Sequence, residues 1–223
     1  MTHVRRVALA ALALAAVSAT SACSGGPALH PGDAAVVDGH AIRLTTVDDL
    51  AADFCTLEEP GLAQQGAVLP MALLRSAAAE TLVTDALLPA FAKEVGIDMA
   101  TVRDGVRKEA AKQAATLPED IRSVATARLE LEGARQAVLQ LVGQAGAQSP
   151  DQAVALGAQL FKAWRAKQHI DLDPRFGAVD LDALQWDGAN GSLSVPADDA
   201  AAPLDQKAAA ALPADQRCGS VAG

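Results

Sequence analysis

The chain of 223 residues reads as a mainly α protein with a small antiparallel β element, closed where an N-terminal hairpin meets C-terminal strands. Three observations predict this. Ala34–Val37 and Ala41–Leu44 are apolar pieces flanking Asp38-Gly39, a dipeptide that accepts the positive φ angles of a tight type I′ turn. Residues 46 to 168 carry apolar side chains at three- and four-residue spacing, punctuated by helix start and stop signals. Strand signals return only at Ile170–Leu172 and near Leu193–Val195. A lone hairpin is marginal in water and needs a third strand or a helix. The late strands are its natural partners, so the C-terminal part is expected to return and clasp a helical body.

The helices follow in order. Thr45 or Thr46 caps a helix near Val47–Glu58, with Leu50, Phe54 and Leu57 on one face, and Pro60-Gly61 ends it. Pro70 suits a first helical position, and the next helix runs to Val95 with Gly96 as its C-terminal cap. Leu74, Ala78, Leu82, Leu87, Leu88 and Phe91 form its apolar face, and Pro89 is expected to kink it near Asp85. Asp98 caps a charged third helix over Met99–Ala115. Thr116-Leu-Pro-Glu119 has the spacing of a capping box and opens a long helix to about Gln144. Ile121, Val124, Leu129, Leu131, Val138, Leu141 and Val142 are its apolar positions. Ser149-Pro-Asp-Gln152 repeats the start signal for a last helix, Pro150 to about Lys167, bearing Leu156, Leu160 and Trp164. Alanine is abundant, so helices can approach closely while each buries little area.

The chain begins with the pattern of an export signal. Arg5 and Arg6 precede an apolar run, Val7–Val17, too short to span a bilayer, which needs about 20 apolar residues. Small residues Ala19–Ala22 lead into Cys23-Ser-Gly-Gly, which resembles a bacterial lipoprotein signal with Cys23 as the lipidated (palmitate-bearing) first mature residue. Thr20 stands where leucine is most common, and an ordinary signal peptide cut nearby is the competing reading. The general secretory route is preferred over twin-arginine export. The expected organisation is a signal peptide at 1–22, a lipidated tether at 23–33, a helical domain at 34–196 and an Ala/Asp/Pro-rich tail at 197–223. A short helix is expected at Leu204–Ala211.

Loss of Arg5 and Arg6 with the signal moves the net charge from -9 to -11. So acidic a surface has no attraction of its own for nucleic acid or anionic headgroups. Attachment to a membrane is therefore expected only through the Cys23 lipid that the resemblance implies, on the extracytoplasmic face. Cys55 and Cys218 then form an even pair, which outside the cytoplasm favours a disulfide pinning the tail to the first helix. Closing so long a loop contributes about 5 kcal/mol at most. Two free thiols are the alternative.

Signs of catalysis are missing. His30, His40 and His169 are scattered, without the spacing of a metal site, and there is no nucleophile elbow or phosphate loop. No cofactor is expected. His40 reads as a turn residue, and Asp48-Asp49, Glu58-Glu59 and Asp198-Asp199 read as solvated acidic positions. Trp164 is expected to pack in the core. Trp186 falls in a loop between closing strands, and Asn190-Gly191 reads as a hairpin turn.

Leu82-Val-Thr-Asp-Ala-Leu-Leu88, then Ala92-Lys-Glu-Val-Gly-Ile-Asp98 and Val102, resemble the N-terminal chaperone domain of the SurA and PrsA family of extracytoplasmic foldases. Val36-Val-Asp-Gly-His-Ala-Ile42 is similar to that family's V-V-N-G-x-x-I hairpin, with Asp38 in place of Asn. Ile170-Asp-Leu-Asp-Pro-Arg-Phe-Gly177 resembles its closing V-N-P-R-F/Y-G strand, with Asp173 in place of Asn. Together these phrases cover most of 34–177. The resemblance implies a helical chaperone module that binds unfolded or exported polypeptides. The family's parvulin isomerase domain has no room here, because the last helix runs directly into Ile170. No enzymatic activity is therefore expected. A non-catalytic scaffold lipoprotein serving one envelope partner is the alternative, and oligomeric state is left open.

Overall fold

The computed structural model describes residues 29–176, 179–180, 185–186 and 206–220. The expected signal peptide, Cys23, Asn190-Gly191, the strand near Leu193–Val195 and the Asp198-Asp199 pair lie outside them. The fold is mainly helical with a small antiparallel sheet, as expected. Its centre is β1 (Asp33–Val37), in which every residue is buried. β1 pairs antiparallel with β2 (His40–Arg43) on one side and β4 (Ile170–Leu172) on the other. The hairpin turn has positive φ at both central residues, 48° at Asp38 and 82° at Gly39, as a type I′ turn requires. The returning strand continues one step beyond β4, since Asp173 N–H donates to the Ala34 carbonyl at 2.9 Å.

Asp33, expected in the tether, is already the first residue of β1. Its buried carboxylate accepts from Arg43 Nη1 at 2.7 Å and from the His30 amide at 3.0 Å. Side chains alternate across a strand, and β1 accordingly divides two cores. Ala34 faces a first core containing Val47, Phe54, Leu74 and Phe176. Ala35 and Val37 face a second, built on Leu87, Leu88, Phe91, Val138, Leu139 and Phe161.

The first helix, α1 (Leu44–Gln65), is longer than expected at both ends. It starts without a side-chain cap, its first amide held instead by the Gly32 carbonyl at 2.9 Å. It also runs through Pro60. The proline costs one backbone bond, but burial of Leu62 and a left-handed Gly66 (φ 61°) reward the extra turn. There the amide of Ala67 closes on the Leu62 carbonyl at 3.0 Å.

β3 (Leu69–Pro70) leads into α2 (Met71–Glu94), with Pro70 as the residue before the helix rather than its first. α2 is the longest shared wall, contributing Leu74, Ala77, Ala78 and Ala79 to the first core and Val83, Leu87, Leu88, Phe91 and Ala92 to the second. It continues past Pro89, which lies on the exposed side, where water can satisfy the Asp85 carbonyl it leaves without a donor. α3 (Met99–Ala114) begins at Asp98 as expected, the carboxylate accepting from the Ala100 amide at 3.1 Å and from the Thr101 hydroxyl at 2.6 Å. These bonds, the Thr101 one foremost, hold the Asp98 carboxyl below its usual range.

The expected capping box before α4 (Glu119–Gly143) is not made. Thr116 instead donates to the Gln113 carbonyl at 2.7 Å and so serves the end of α3. α5 (Pro150–Arg165) does start as expected, with Ser149 accepting from the Gln152 amide at 3.2 Å. Its buried stripe is Ala153, Gly157 and Phe161, whereas Leu160 is 52% exposed. The reason is close approach. A methyl group on Gly143 would overlap the Ala153 carbonyl, and one on Gly157 would overlap the Leu139 carbonyl. The two helices meet backbone to backbone, and Leu160 turns outward. Leu141 on α4 is likewise exposed, at 48%.

β5 (Val179–Asp180) pairs with β6 (Gln185–Trp186), so Trp186 belongs to a strand rather than a loop. The tail holds α6 (Gln206–Ala210), within the expected 204–211, and β7 (Arg217–Cys218), which pairs antiparallel with β3.

Candidate functional site

Phe54, Leu57 and Glu58 share one face of α1 at three- and four-residue spacing. Leu73, Leu74 and Ala77 do the same on α2, and Leu69 in β3 stands just before them. Together with Arg128 of α4 they line a cleft of about 300 Å³. The cleft is mostly apolar. Its floor consists of buried side chains, Phe54 and Leu74 of the first core and Leu73 next to Leu74 on α2.

Arg128 crosses from α4 to place its guanidinium 4.2 Å from the centre of the Phe54 ring. A cation over an aromatic face is attracted by the ring quadrupole. Glu58, one helical turn beyond Phe54, is exposed at the lip of the cleft. Among the described residues neither Arg128 nor Glu58 has an ion-pair partner. The other acidic pair on this helix behaves differently, since Asp48 is held by Arg75 Nε at 2.7 Å. Glu58 is thus a solvated charge as expected, whereas Asp48 is paired.

Cys55 and Cys218 lie at disulfide distance, with Cα atoms 5.5 Å apart. Cys55 adjoins Phe54, and Cys218 sits opposite Leu69 in the β3–β7 register. The pair therefore ties the α1 wall of the cleft to the strand beside its β3 edge. The tail adds a hydrogen bond, the Val68 N–H donating to Gln206 Oε1 at 3.2 Å.

The histidines are not assembled into a site. His30 contributes its backbone amide to Asp33, His40 opens β2 with Nδ1 3.2 Å from the Asp38 carbonyl, and exposed His169 lies 3.4 Å from Asp171. Among the described residues no group of three potential metal ligands occurs. Trp164 packs at the rim of the second core against Phe91 and Phe161, its indole N–H donating to Glu94 at 2.6 Å. Among the described residues no helix is long and apolar enough to cross a membrane.

Sequence reasoning missed Arg128 as a cleft residue. The available signal was its position three residues after buried Ala125, on the inward side of α4. No family model matches the chain, and no curated protein or solved structure matches it either.

Proposed function

We propose that the protein is an extracytoplasmic lipoprotein, anchored through Cys23, whose helical domain holds unfolded or exported polypeptides without catalysing a reaction. The observation that carries this reading is the open apolar cleft between α1, α2 and α4. Unfolded clients have exposed apolar side chains in common, and a concave apolar surface with a few polar groups is what receives them. The Cys55–Cys218 pair supports an oxidising compartment, since disulfides persist there. The resemblance of the hairpin, the Ala92–Asp98 phrase and the Asp-Pro-Arg-Phe turn to foldase chaperone domains points the same way.

The test is suppression of aggregation of a reduced, unfolded client by the mature protein. Leu57→Asp places a charge on the half-buried wall of the cleft. It should weaken holding about tenfold, the equivalent of one lost apolar anchor of ~1.5 kcal/mol. Equal holding by this variant, with unchanged circular dichroism, would refute the cleft as the client site. Cys23→Ala should release the protein from washed membranes into the soluble fraction. A second reading, a scaffold for one envelope partner, is favoured by the charges of Arg128 and Glu58 at the cleft, which would select among ligands. Co-purification from the native envelope separates the two, as many clients or one stoichiometric partner.

A further inference from the structure

We infer that the cleft reads polypeptide C-termini: an apolar last side chain enters between Phe54, Leu73 and Leu74 while its terminal carboxylate is gripped by Arg128. This rests on the reading of the cleft as a polypeptide site and narrows it to one end of the client. The charges carry the inference. Arg128 is a guanidinium lining an apolar cleft with no carboxylate partner among the described residues, in a chain whose net charge is -9. Every ion-paired arginine of the described fold has an acidic neighbour within 3.2 Å, so acceptors are plentiful elsewhere. At Arg128 the guanidinium carbon lies over the Phe54 ring, 4.2 Å from its centre, so the ring covers one side of the cation. The forked edge that remains suits a carboxylate, which it can bind through two parallel N–H···O bonds.

Glu58 decides between carboxylate sources. It lines the same cleft one turn along α1 from Phe54, and it can only accept hydrogen bonds when ionised. A polypeptide terminus offers both a carboxylate for Arg128 and, from its last peptide bonds, an N–H for Glu58. A fatty acid offers the first and lacks the second. An internal segment offers the second and lacks the first. A volume of about 300 Å³ holds one or two side chains, which matches a chain end rather than a long groove.

The experiment is fluorescence anisotropy with the mature chain and a labelled hexapeptide ending in leucine. The free acid should bind about tenfold more tightly than the same peptide amidated at its C-terminus, the size of a charge-assisted pair of hydrogen bonds. Arg128→Gln should bring the acid down to the level of the amide, with Arg128→Lys between. N-methylation of the last peptide bond should cost about threefold, and dodecanoate should compete less well than the acid peptide. Equal binding of acid and amide overturns the inference, as does a preference that survives Arg128→Gln or stronger competition by dodecanoate. If acid and amide bind equally but both fail with Leu57→Asp, the cleft still holds polypeptides and only terminus reading falls. If no hexapeptide binds while unfolded clients are held, terminus reading and the cleft as client site fall together.

Discussion

The two cores on either side of β1 are built from the same helix, α2, yet are held by different means. Of the eleven buried residues around Ala34, five are alanines; of the eleven around Val37, three are. The second core adds an aromatic trio, with Phe91 and Phe161 centroids 5.1 Å apart and Trp164 beside them. It is closed by the backbone contact of α4 with α5 and by Arg165 of α5, which donates both terminal nitrogens to the Glu80 carboxylate. That bond raises the Arg165 pKa above its ordinary value. The first core lacks this density, contains the cleft, and is the one crossed by the Cys55–Cys218 pair. Alanine burial yields little per residue, so a covalent closure stands where apolar area is scarce. The thin core is also where a ligand can enter.

The contrast can be broken from either side. The largest effect belongs to the first core. Cys218→Ser, or reduction, should cost about 2–5 kcal/mol in urea unfolding, and protection from hydrogen exchange should fall first in β3, β7 and the end of α1. Uniform loss across the molecule would show that the two cores do not differ in this way. Gly157→Ala acts on the other side. Because the added methyl overlaps the Leu139 carbonyl, α4 and α5 must separate, at about 3 kcal/mol. Combining the two substitutions sharpens the comparison. If the cores are energetically separate, their costs add to within about 0.5 kcal/mol. Strong coupling would mean that α2 transmits strain between them. A smaller effect is expected of Ser149→Ala, about 1 kcal/mol for loss of the α5 cap, with exchange increasing at the start of α5 and not in β3.

The elements legible in the sequence were those whose information is local. Asp38-Gly39 names its turn because two adjacent residues must take positive φ, and Asp98 and Ser149 name helix starts because their side chains reach their own amides. The return of Ile170–Leu172 to β1 followed from a hairpin that needed a partner, and the Cys55–Cys218 pairing from an even count. What failed was decided by tertiary competition. Pro60 reads as a stop, but burial of Leu62 beyond it outweighs one lost bond. Thr116 reads as a cap for the following helix, yet its hydroxyl had a carbonyl nearer at hand on the preceding one. The leucines of α5 read as its buried face, but Gly157 and Ala153 let a neighbour come so close that Leu160 was excluded. The cleft was illegible because its lining comes from different elements and Arg128 lies far along the chain from the rest.

The smallest predicted effect concerns the turn that seals the first core. After β4 the chain turns at Asp173, whose carboxylate accepts from the Arg175 amide at 2.9 Å and from Arg175 Nη2 at 2.6 Å. The Phe176 amide donates to the Asp173 carbonyl at 2.9 Å, and its ring enters the first core. The Arg175 side chain, chiefly by hydrogen bonding, holds the Asp173 carboxyl below its ordinary value of 3.8. A lowered pKa in the fold means that the ionised form is favoured there. The stabilisation is therefore complete above the ordinary aspartate value and is lost as pH falls below it through the lowered one. Arg175 is half exposed, so the pair is worth only about 0.5 kcal/mol. Asp173→Asn keeps the oxygen that accepts from the Arg175 amide and removes only the charge. The stability gap between the two proteins should be constant from pH 7 to about 5 and should close below about pH 4. The readout is urea unfolding across that range, with exchange of the Asp173 amide, bonded to Ala34, as the local probe. A gap that widens in acid would mean that Asp173 is protonated in the fold, and that Phe176 is held in the first core by packing alone.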